Sequence, residues 1–173
     1  MSSTTLTFDA LLPDASSRTG ATAGLLAQGA EFLTFRLGGH ACGLDIRRVQ
    51  DVRAFTPPAR ADDVRPGVIG ELHLGGATVP VLDLRRLVGV PSPRHDAGVT
   101  VVLSVAHRVV AMVVDGVSDV VAFTPHQLCP ATRLPAGWER HHVLGLGVLA
   151  ERELLLIDLD ALFADPALGL ISP

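Results

Sequence analysis

Residues 49–57 read VQDVRAFTP, and residues 117–125 read VSDVVAFTP. The two stretches agree at seven of nine positions, far more than composition alone produces. The agreement continues without a gap at a spacing of 68, so that residues 32–57 match residues 100–125. The chain therefore repeats a structural unit rather than a short motif.

A second match follows at a spacing of 75, between residues 68–88 and residues 143–163. The change of spacing leaves a loop that is seven residues longer in the second copy. Each copy predicts two strands joined by a tight turn, a short helical step, a third strand, then two more strands and a brief helix. Asp83 and Asp158 stand where that helix opens and are predicted to cap it.

Five short strands in roughly 60 residues bury too little surface for an open sheet, whose unpaired edges would also promote aggregation. Closure into a small barrel removes both problems, and two such barrels gain stability by packing together. We therefore predict an all-β protein with short helices and two packed five-stranded barrels. Phe55 and Phe123, at equivalent places in the AFTP stretch, are predicted to be core or near-core. Whether the repeats exchange an end strand stays open.

Composition shifts mark the predicted boundaries of the folded region, because the leader is rich in Ser, Thr, Ala and Gly without a regular period. The predicted segments are a flexible N-terminal tail at 1–29, one domain at 30–165, a first repeat at about 31–90, a linker at 91–98, a second repeat at about 99–163, and a C-terminal tail at 166–173.

Charge and cysteine content narrow the class of partner. The 173 residues carry a net charge of -4 without a basic stripe, so neither nucleic acid nor an anionic membrane is the expected partner.

The two cysteines, Cys42 and Cys129, predict free thiols in a reducing cytosol. The chain begins without a secretory signal, and its apolar runs are far below the ~20 residues of a membrane span, which predicts a cytoplasmic protein without direct membrane insertion.

The usual catalytic motifs are missing from the sequence, which has no GxxxxGK loop, GxSxG elbow, HExxH or CxxC. Gly145 and Gly147 form a lone GxG that precedes a strand instead of opening a helix, so it is a weak nucleotide motif. We predict no catalytic residue, no cofactor and no enzymatic activity.

The histidines of the long loop, His126 and the pair His141–His142, invite a metal hypothesis. Adjacent residues on an extended segment point to opposite faces, so no zinc site is predicted. Asp160, beside the predicted helix cap, is assigned to the first helical turn rather than to acid–base chemistry. Trp138, the single tryptophan, is either a loop anchor in the core or a partner contact.

Four blocks of the sequence, taken together, carry a family likeness. They are EFLTFRLGGHACGLDIRRVQDV, GVIGELHLGGATVPVLDLRRLVG, RVVAMVVDGVSDVV and LGLGVLAERELLLIDLDALF. Their order over about residues 31–163 resembles the CheW-type coupling proteins of bacterial chemotaxis. The resemblance implies two packed SH3-like barrels and a non-enzymatic adaptor that couples methyl-accepting chemoreceptors to the histidine kinase CheA, whose regulatory domain has the same fold.

The resemblance also implies where partners bind. Receptor tips are expected to lie as helical hairpins along the groove between the barrels, with the kinase docked end to end against a barrel. Val49 would contact the apolar face of a receptor helix, and Asp51 at the rim would hold a basic residue. The implied partner-binding residues are Val49, Asp51, Gly70, Gly75, Val113, Val114 and Val117.

One position departs from the family pattern. Members commonly read N-L-R-G before the VPVLDLR strand, whereas this chain reads His73-Leu74-Gly75-Gly76. Gly75 thus replaces an arginine, which predicts either a lost contact with a partner or a tight hairpin that needs positive φ.

Two other functions remain compatible with the sequence. One is an adaptor of a chemotaxis-like pathway that controls pili, development or a second messenger. The other is a small β-barrel ligand-binding protein or enzyme that uses the groove as a pocket, although the groove residues are mainly Val, Leu, Gly and Ala.

Overall fold

A computed structural model of the chain describes residues 30–60, 67–89 and 97–166. The predicted N-terminal tail, most of the predicted linker and nearly all of the predicted C-terminal tail lie outside the described residues.

The described residues form eleven strands, two short α-helices and three 3-10 turns. The strands are β1 (Glu31–Leu37), β2 (His40–Asp45), β3 (Val49–Ala54), β4 (Val68–Leu74), β5 (Ala77–Asp83), β6 (Val99–Val105), β7 (Arg108–Val114), β8 (Gly116–Ala122), β9 (Leu128–Cys129), β10 (Val143–Leu149) and β11 (Arg152–Ile157). The helices are α1 (Leu84–Leu87) and α2 (Leu159–Ala164), and the 3-10 turns are Ile46–Arg48, Pro125–Gln127 and Arg140–His142. None of the helices within the described ranges is long and apolar enough to cross a membrane.

The strands form two sheets, which confirms the predicted all-β class. The six-stranded sheet, which we call the first barrel, has the order β8-β1-β2-β11-β10-β9, and the five-stranded sheet, which we call the second barrel, has the order β3-β6-β7-β5-β4. When each strand is replaced by its equivalent in the other repeat, the two orders are the same, except that the first barrel has β9 as an additional strand. The internal repeat of the sequence is therefore a repeat of topology.

Each barrel takes its first hairpin from the other half of the chain. The hairpin β1–β2 pairs with β8 and β11, and the hairpin β6–β7 pairs with β3 and β5. The pairing of β2 with β11 is parallel, as is the pairing of β7 with β5. The sequence left strand exchange open, and the structure shows a reciprocal exchange of whole hairpins.

Short bridges close the ends of both sheets at equivalent places. After β3, Ala59 and Glu71 exchange two backbone hydrogen bonds of 3.0 and 2.9 Å. After β8, the two-residue strand β9 pairs with β10, with Cys129 opposite Leu146. Residues 71 and 146 are equivalent in the repeat, so both barrels use the same device to shorten their open edges.

A single large core joins the two barrels. It contains buried residues from hairpins of both halves, among them Phe35 and Leu44 from the first and Leu103 and Met112 from the second. Two smaller clusters fill the remaining interior of each barrel. Because most of the buried apolar surface belongs to the shared core, neither barrel keeps its interior without the other.

The predicted helix caps are confirmed. Asp83 accepts a hydrogen bond from the backbone N–H of Arg85 at 3.0 Å, and Asp158 accepts one from Ala161 at 3.0 Å. Asp160 lies in the first turn of α2, as expected for a residue that complements the helix dipole. Its carboxylate also forms an ion pair of 2.8 Å with Arg48.

A buried arginine connects the two barrels. The Arg85 side chain is 1% exposed; its Nε donates to Asp83 at 3.0 Å, and its Nη1 donates to the Ala97 carbonyl at 2.6 Å. Asp115, 3.7 Å from the same guanidinium, accepts a hydrogen bond of 2.7 Å from Gly38 in the β1–β2 turn. The network thus runs from the second barrel to the first. Removing one member of such a buried pair costs about 3–5 kcal/mol.

The repeated phenylalanines have different surroundings. Phe123 is 1% exposed and packs edge to face on Phe32, with ring centroids 5.8 Å apart. Its ring lies where a Cβ on Gly147 would be, and the equivalent position in the first repeat is Leu72. Leu72 has a side chain where Gly147 has none, and Phe55 is only partly buried, beside Leu72, against the second barrel's small cluster. One phenylalanine is therefore core and the other near-core.

We expect Phe123→Ala to cost about 3–5 kcal/mol of unfolding free energy, because it removes a fully buried ring. Phe55→Ala should cost less than half as much, since a partly exposed ring loses less buried apolar area. Urea denaturation of both variants measures the difference. Equal losses would show that the two AFTP stretches are packed alike.

Candidate partner-binding surface

The strand of the quoted repeat is also the most exposed strand in each half of the described chain. In β3 five of six residues are exposed, and in β8 four of seven are. Val52 and Val120 are 42% and 48% exposed, and they occupy equivalent repeat positions. Each barrel therefore presents the same strip, with an exposed valine one residue after an aspartate.

The first residues of these strips lie against the shared core. Val49 begins β3 and Val117 is the second residue of β8, and both are partly buried and pack on the core that joins the barrels. Their equivalence in the repeat places one at the base of each strip. The structure thus brings these two predicted residues to matching positions beside the junction of the barrels.

Asp51 is exposed, but its charge is already paired with that of Arg53. Arg53 donates from Nε and Nη2 to Asp51 at 3.1 and 2.7 Å, from two residues along the same strand face. These hydrogen bonds from Arg53, with one from the Val52 N–H, hold the pKa of Asp51 below its usual value. A partner's basic residue would therefore compete with Arg53 or join it.

The equivalent aspartate on the other strip is held differently. Thr34, buried in β1, donates to Asp119 at 2.5 Å, and Arg152 lies 3.4 Å from the same carboxylate. Both contacts, the Thr34 hydrogen bond first, lower the pKa of Asp119. Asp119 is thus tied to the wall of its barrel, whereas Asp51 is tied only to its own strand.

Three of the predicted partner-binding residues lie in the interior. Val113 and Val114 are 0% exposed, because β7 is the central strand between β6 and β5. Gly70 is buried behind the closing bridge, where a Cβ would overlap the Ala59 carbonyl oxygen and come within 2.9 Å of Pro58 Cγ. These residues shape the wall behind the surface, and their side chains offer no contact to a partner.

Gly75 lies at one end of the second barrel, in the β4–β5 turn. Gly75 and Gly76 have φ of 55° and 82°, the positive values of a tight two-residue hairpin. A Cβ at either position would meet no atom within 4 Å. Ala150, at the position equivalent to Gly75, adopts φ of 46°, so this turn accepts a side chain at that place.

The same barrel end holds a depression of about 340 Å³, which we call the end groove. Its walls are residues 77–80 at the start of β5 and the β6–β7 hairpin around Val109, with Phe163 of α2 contributing from the shared core. Val109 is 38% exposed and supplies apolar surface. The end groove begins two residues after Gly75, so a side chain at residue 75 would stand near its rim.

Neither cysteine has the lowered pKa that is typical of a catalytic thiol. Burial raises the pKa of Cys42 to about 12, and burial, with the charge of Glu153, raises the pKa of Cys129. Both therefore stay protonated at neutral pH and are poor nucleophiles. Trp138, the other residue with two possible roles, is 9% exposed and belongs to the shared core, so it is a loop anchor.

One polar cluster lies apart from these surfaces. His141, His142 and Asp165 bring their ligand-type atoms within 4.8 Å of one another. Burial lowers the pKa of His142, against the raising effect of its hydrogen bond with Asp165. Sequence reasoning kept the two histidines apart and did not consider Asp165, which is 23 residues from His142.

Sequence reasoning also missed Val52, Val120 and the end groove. The signal for the two valines was present, because residues 49–57 and 117–125 match at polar and apolar positions alike. In a strand with one face in the core and the other in solvent, packing alone would preserve mainly the alternate, core-facing positions. The end groove depends on which hairpins meet and has no local signature.

We expect Gly75→Ala to cost about 1–2 kcal/mol, the strain of an L-residue at positive φ with free space around it. Gly70→Ala should cost more, on the order of 3 kcal/mol, because its Cβ would push apart the closing bridge. Thermal unfolding of the two variants tests this ranking. A larger loss at Gly75 would mean that the hairpin, not the bridge, is the constrained position.

Comparison with known proteins gives a consistent result. The sequence model of the CheW-like domain matches residues 31–167. The chemotaxis protein CheW of Klebsiella aerogenes is 36% identical over 145 residues, which cover 83% of this chain and 87% of that protein. The probable chemotaxis protein CheW of Rhizobium etli is 30% identical over 139 residues, or 78% of this chain and 88% of that protein.

The fold is similar to a solved structure as well. The crystal structure of the scaffolding protein TtCheW from Thermoanaerobacter tengcongensis superposes with a TM-score of 0.72 at 19% identity, and the match covers 80% of this chain and 95% of that one. The resemblance read from the four sequence blocks is thereby confirmed. The chain belongs to the CheW-like domain family, a family of chemotaxis scaffold proteins.

Proposed function

We propose that this protein is a non-enzymatic adaptor that couples methyl-accepting chemoreceptors to the regulatory domain of the histidine kinase CheA. The observation that carries the proposal is that the most closely repeated strands, β3 and β8, are also the most exposed. Agreement between buried positions follows from packing, but agreement at exposed positions needs another cause. Binding to partner surfaces supplies that cause.

The receptor side of the proposal is the two equivalent places at which β3 and β8 leave the shared core. Val49 and Val117 give a partly buried apolar base there, and Val52 lies further out on the same strand as Asp51. A helical hairpin with one apolar face buries that face against such a base and places its polar residues at the rim. The Asp51–Arg53 pair offers both signs of charge at that rim, which suits a polar contact that sets register.

The kinase side of the proposal is the end of the second barrel. A regulatory domain with the same double-barrel fold would dock end to end, presenting a barrel end to the end groove. The exposed side chain of Val109 gives the groove apolar surface, and Arg108 adds a charge. Apolar centres with polar surroundings are the usual arrangement of protein interfaces.

Gly75 bears on which kinase or receptor is preferred. An arginine at the rim of the end groove would supply charge-assisted hydrogen bonds, each worth about 1.5–3 kcal/mol or roughly ten- to hundredfold in affinity. This chain has no side chain there and the space is open. The difference favours, as a second candidate, an adaptor of a related pathway that controls pili, development or a second messenger. In either case we propose work in the cytoplasm, at membrane-associated receptor arrays.

Binding of the purified full-length protein to an immobilised receptor cytoplasmic tip and to the isolated kinase regulatory domain tests the proposal. The unmodified protein should bind both partners without turnover of nucleotide or ester substrates. Asp51→Arg should weaken receptor binding and leave kinase binding unchanged, because the reversed rim charge and the released Arg53 repel a basic contact. Gly75→Arg should tighten kinase binding about tenfold and leave receptor binding unchanged.

Each variant is the control for the other, since both substitutions are exposed and lie at different parts of the surface. Loss of both partners on Asp51→Arg would point to misfolding, which circular dichroism detects. Absence of binding by the unmodified protein to either partner would overturn the adaptor proposal. Equal receptor affinity of Asp51→Arg at low salt would remove Asp51 from the receptor surface.

A further inference from the structure

At the end of the long loop, the side chains of two consecutive histidines lie close together. His141 and His142 belong to the 3-10 turn Arg140–His142, where the His142 N–H donates to Glu139 at 3.0 Å. Consecutive residues of a 3-10 turn are separated by about 120°, rather than by the 180° of an extended strand. Their ring centroids are 4.0 Å apart. The expectation that the two side chains point to opposite faces is therefore wrong, because the segment is not extended.

Asp165, the C-cap residue of α2, meets both rings. Its Oδ2 lies 2.9 Å from His141 Nε2 and 2.6 Å from His142 Nε2. Both imidazoles thus direct the same nitrogen at one carboxylate oxygen. The arrangement requires the 3-10 turn and the end of α2 to meet, although they are far apart in sequence.

These atoms are the kind and number that zinc uses when it keeps one position open. Zinc takes His nitrogen at about 2.0–2.1 Å and carboxylate oxygen at about 2.0–2.2 Å in tetrahedral geometry. Tetrahedral ligands at those bond lengths are roughly 3.3 Å apart. A bound ion therefore requires each Nε2 to move from Asp165 by less than about 1 Å, and the ligand atoms, which lie within 4.8 Å of one another, to converge by up to roughly 1.5 Å. Side-chain rotation at a loop and a helix end supplies a movement of that size.

We propose that His141, His142 and Asp165 form a binding site for Zn²⁺ with three protein ligands. On binding, each imidazole gives up its Nε2 proton, either to solvent or by a change to the tautomer protonated on Nδ1, and the ion replaces the hydrogen bonds to Asp165. Glu139 adds a second negative charge close enough to interact with His142, which favours a dication. His142 is 5% exposed while the His141 side chain is 47% exposed, so the site has a protected side and an open entry.

The position of the site suggests what the ion would do. The turn that carries the histidines follows Trp138, which anchors the long loop in the shared core, and Asp165 follows Phe163, which belongs to the same core. A bound ion would therefore join the loop to the end of α2 and hold two core-contacting segments together. Its effect would be on stability, not on chemistry at the partner surface.

Isothermal titration of the metal-free, untagged full-length protein with Zn²⁺ alone tests the site. We expect one ion per chain, a rise in melting temperature with zinc in excess, and the visible absorption of a tetrahedral site when Co²⁺ replaces Zn²⁺. His141→Ala should weaken binding about 10- to 100-fold and retain the fold, because this side chain is half exposed. Asp165→Asn, which keeps an oxygen but removes the charge, should weaken it in the same direction.

The matched control is His126→Ala, an exposed histidine on the neighbouring 3-10 turn, which should bind zinc like the unmodified protein. Absence of stoichiometric binding by the unmodified protein would overturn the proposal and leave the cluster as a hydrogen-bonded contact. Equal affinity of the His141→Ala and His126→Ala variants would also overturn it, because zinc would then bind elsewhere.

Discussion

The reciprocal exchange of hairpins is the constraint on which the rest of this molecule depends. Each barrel is closed by strands that come from both halves of the chain, so neither half contains a complete sheet. A barrel of about 60 residues is marginal by itself, and a shared core removes the need for two separate ones. The two repeats therefore behave as one folded unit, whose groove and end surfaces exist only when both halves are in place.

The two repeats carry opposite charges at equivalent positions where the barrels meet. Arg85 in the first repeat is equivalent to Asp160 in the second, and Asp115 is equivalent to Arg47, so the charges at matching places are reversed. At one junction Arg85 is buried between Asp83 and Asp115, and at the other Asp160 pairs in solvent with Arg48, next to Arg47. Breaking the buried version costs about 3–5 kcal/mol because it leaves a buried charge unpaired, whereas an exposed ion pair is worth about 0–1 kcal/mol.

The sequence predicted what local pattern and repetition determine. The strands, the caps at Asp83 and Asp158 and the near-core placement of Phe55 follow from residue type and spacing. Hairpin exchange did not follow, because a strand shows the same alternation whichever neighbour it pairs with. The burial of Val113 and Val114 depends on that pairing, and the meeting of His141 and His142 depends on a 3-10 turn that the sequence does not mark. The features that could not be predicted from the sequence are therefore those that depend on long-range pairing rather than on local propensity.

Fragment complementation tests the exchange most directly. The chain would be divided within the predicted linker into residues 1–93 and 94–173, and each half would be studied alone and after mixing. We expect neither half alone to form a folded monomer, and the mixture to give a one-to-one complex in which Trp138 regains the fluorescence of the intact protein. Trp138 is a suitable reporter because it lies in the second half and packs in a core that the first half completes. A cooperative, monomeric fold in either isolated half would contradict the account, since it would mean that one repeat closes its own barrel.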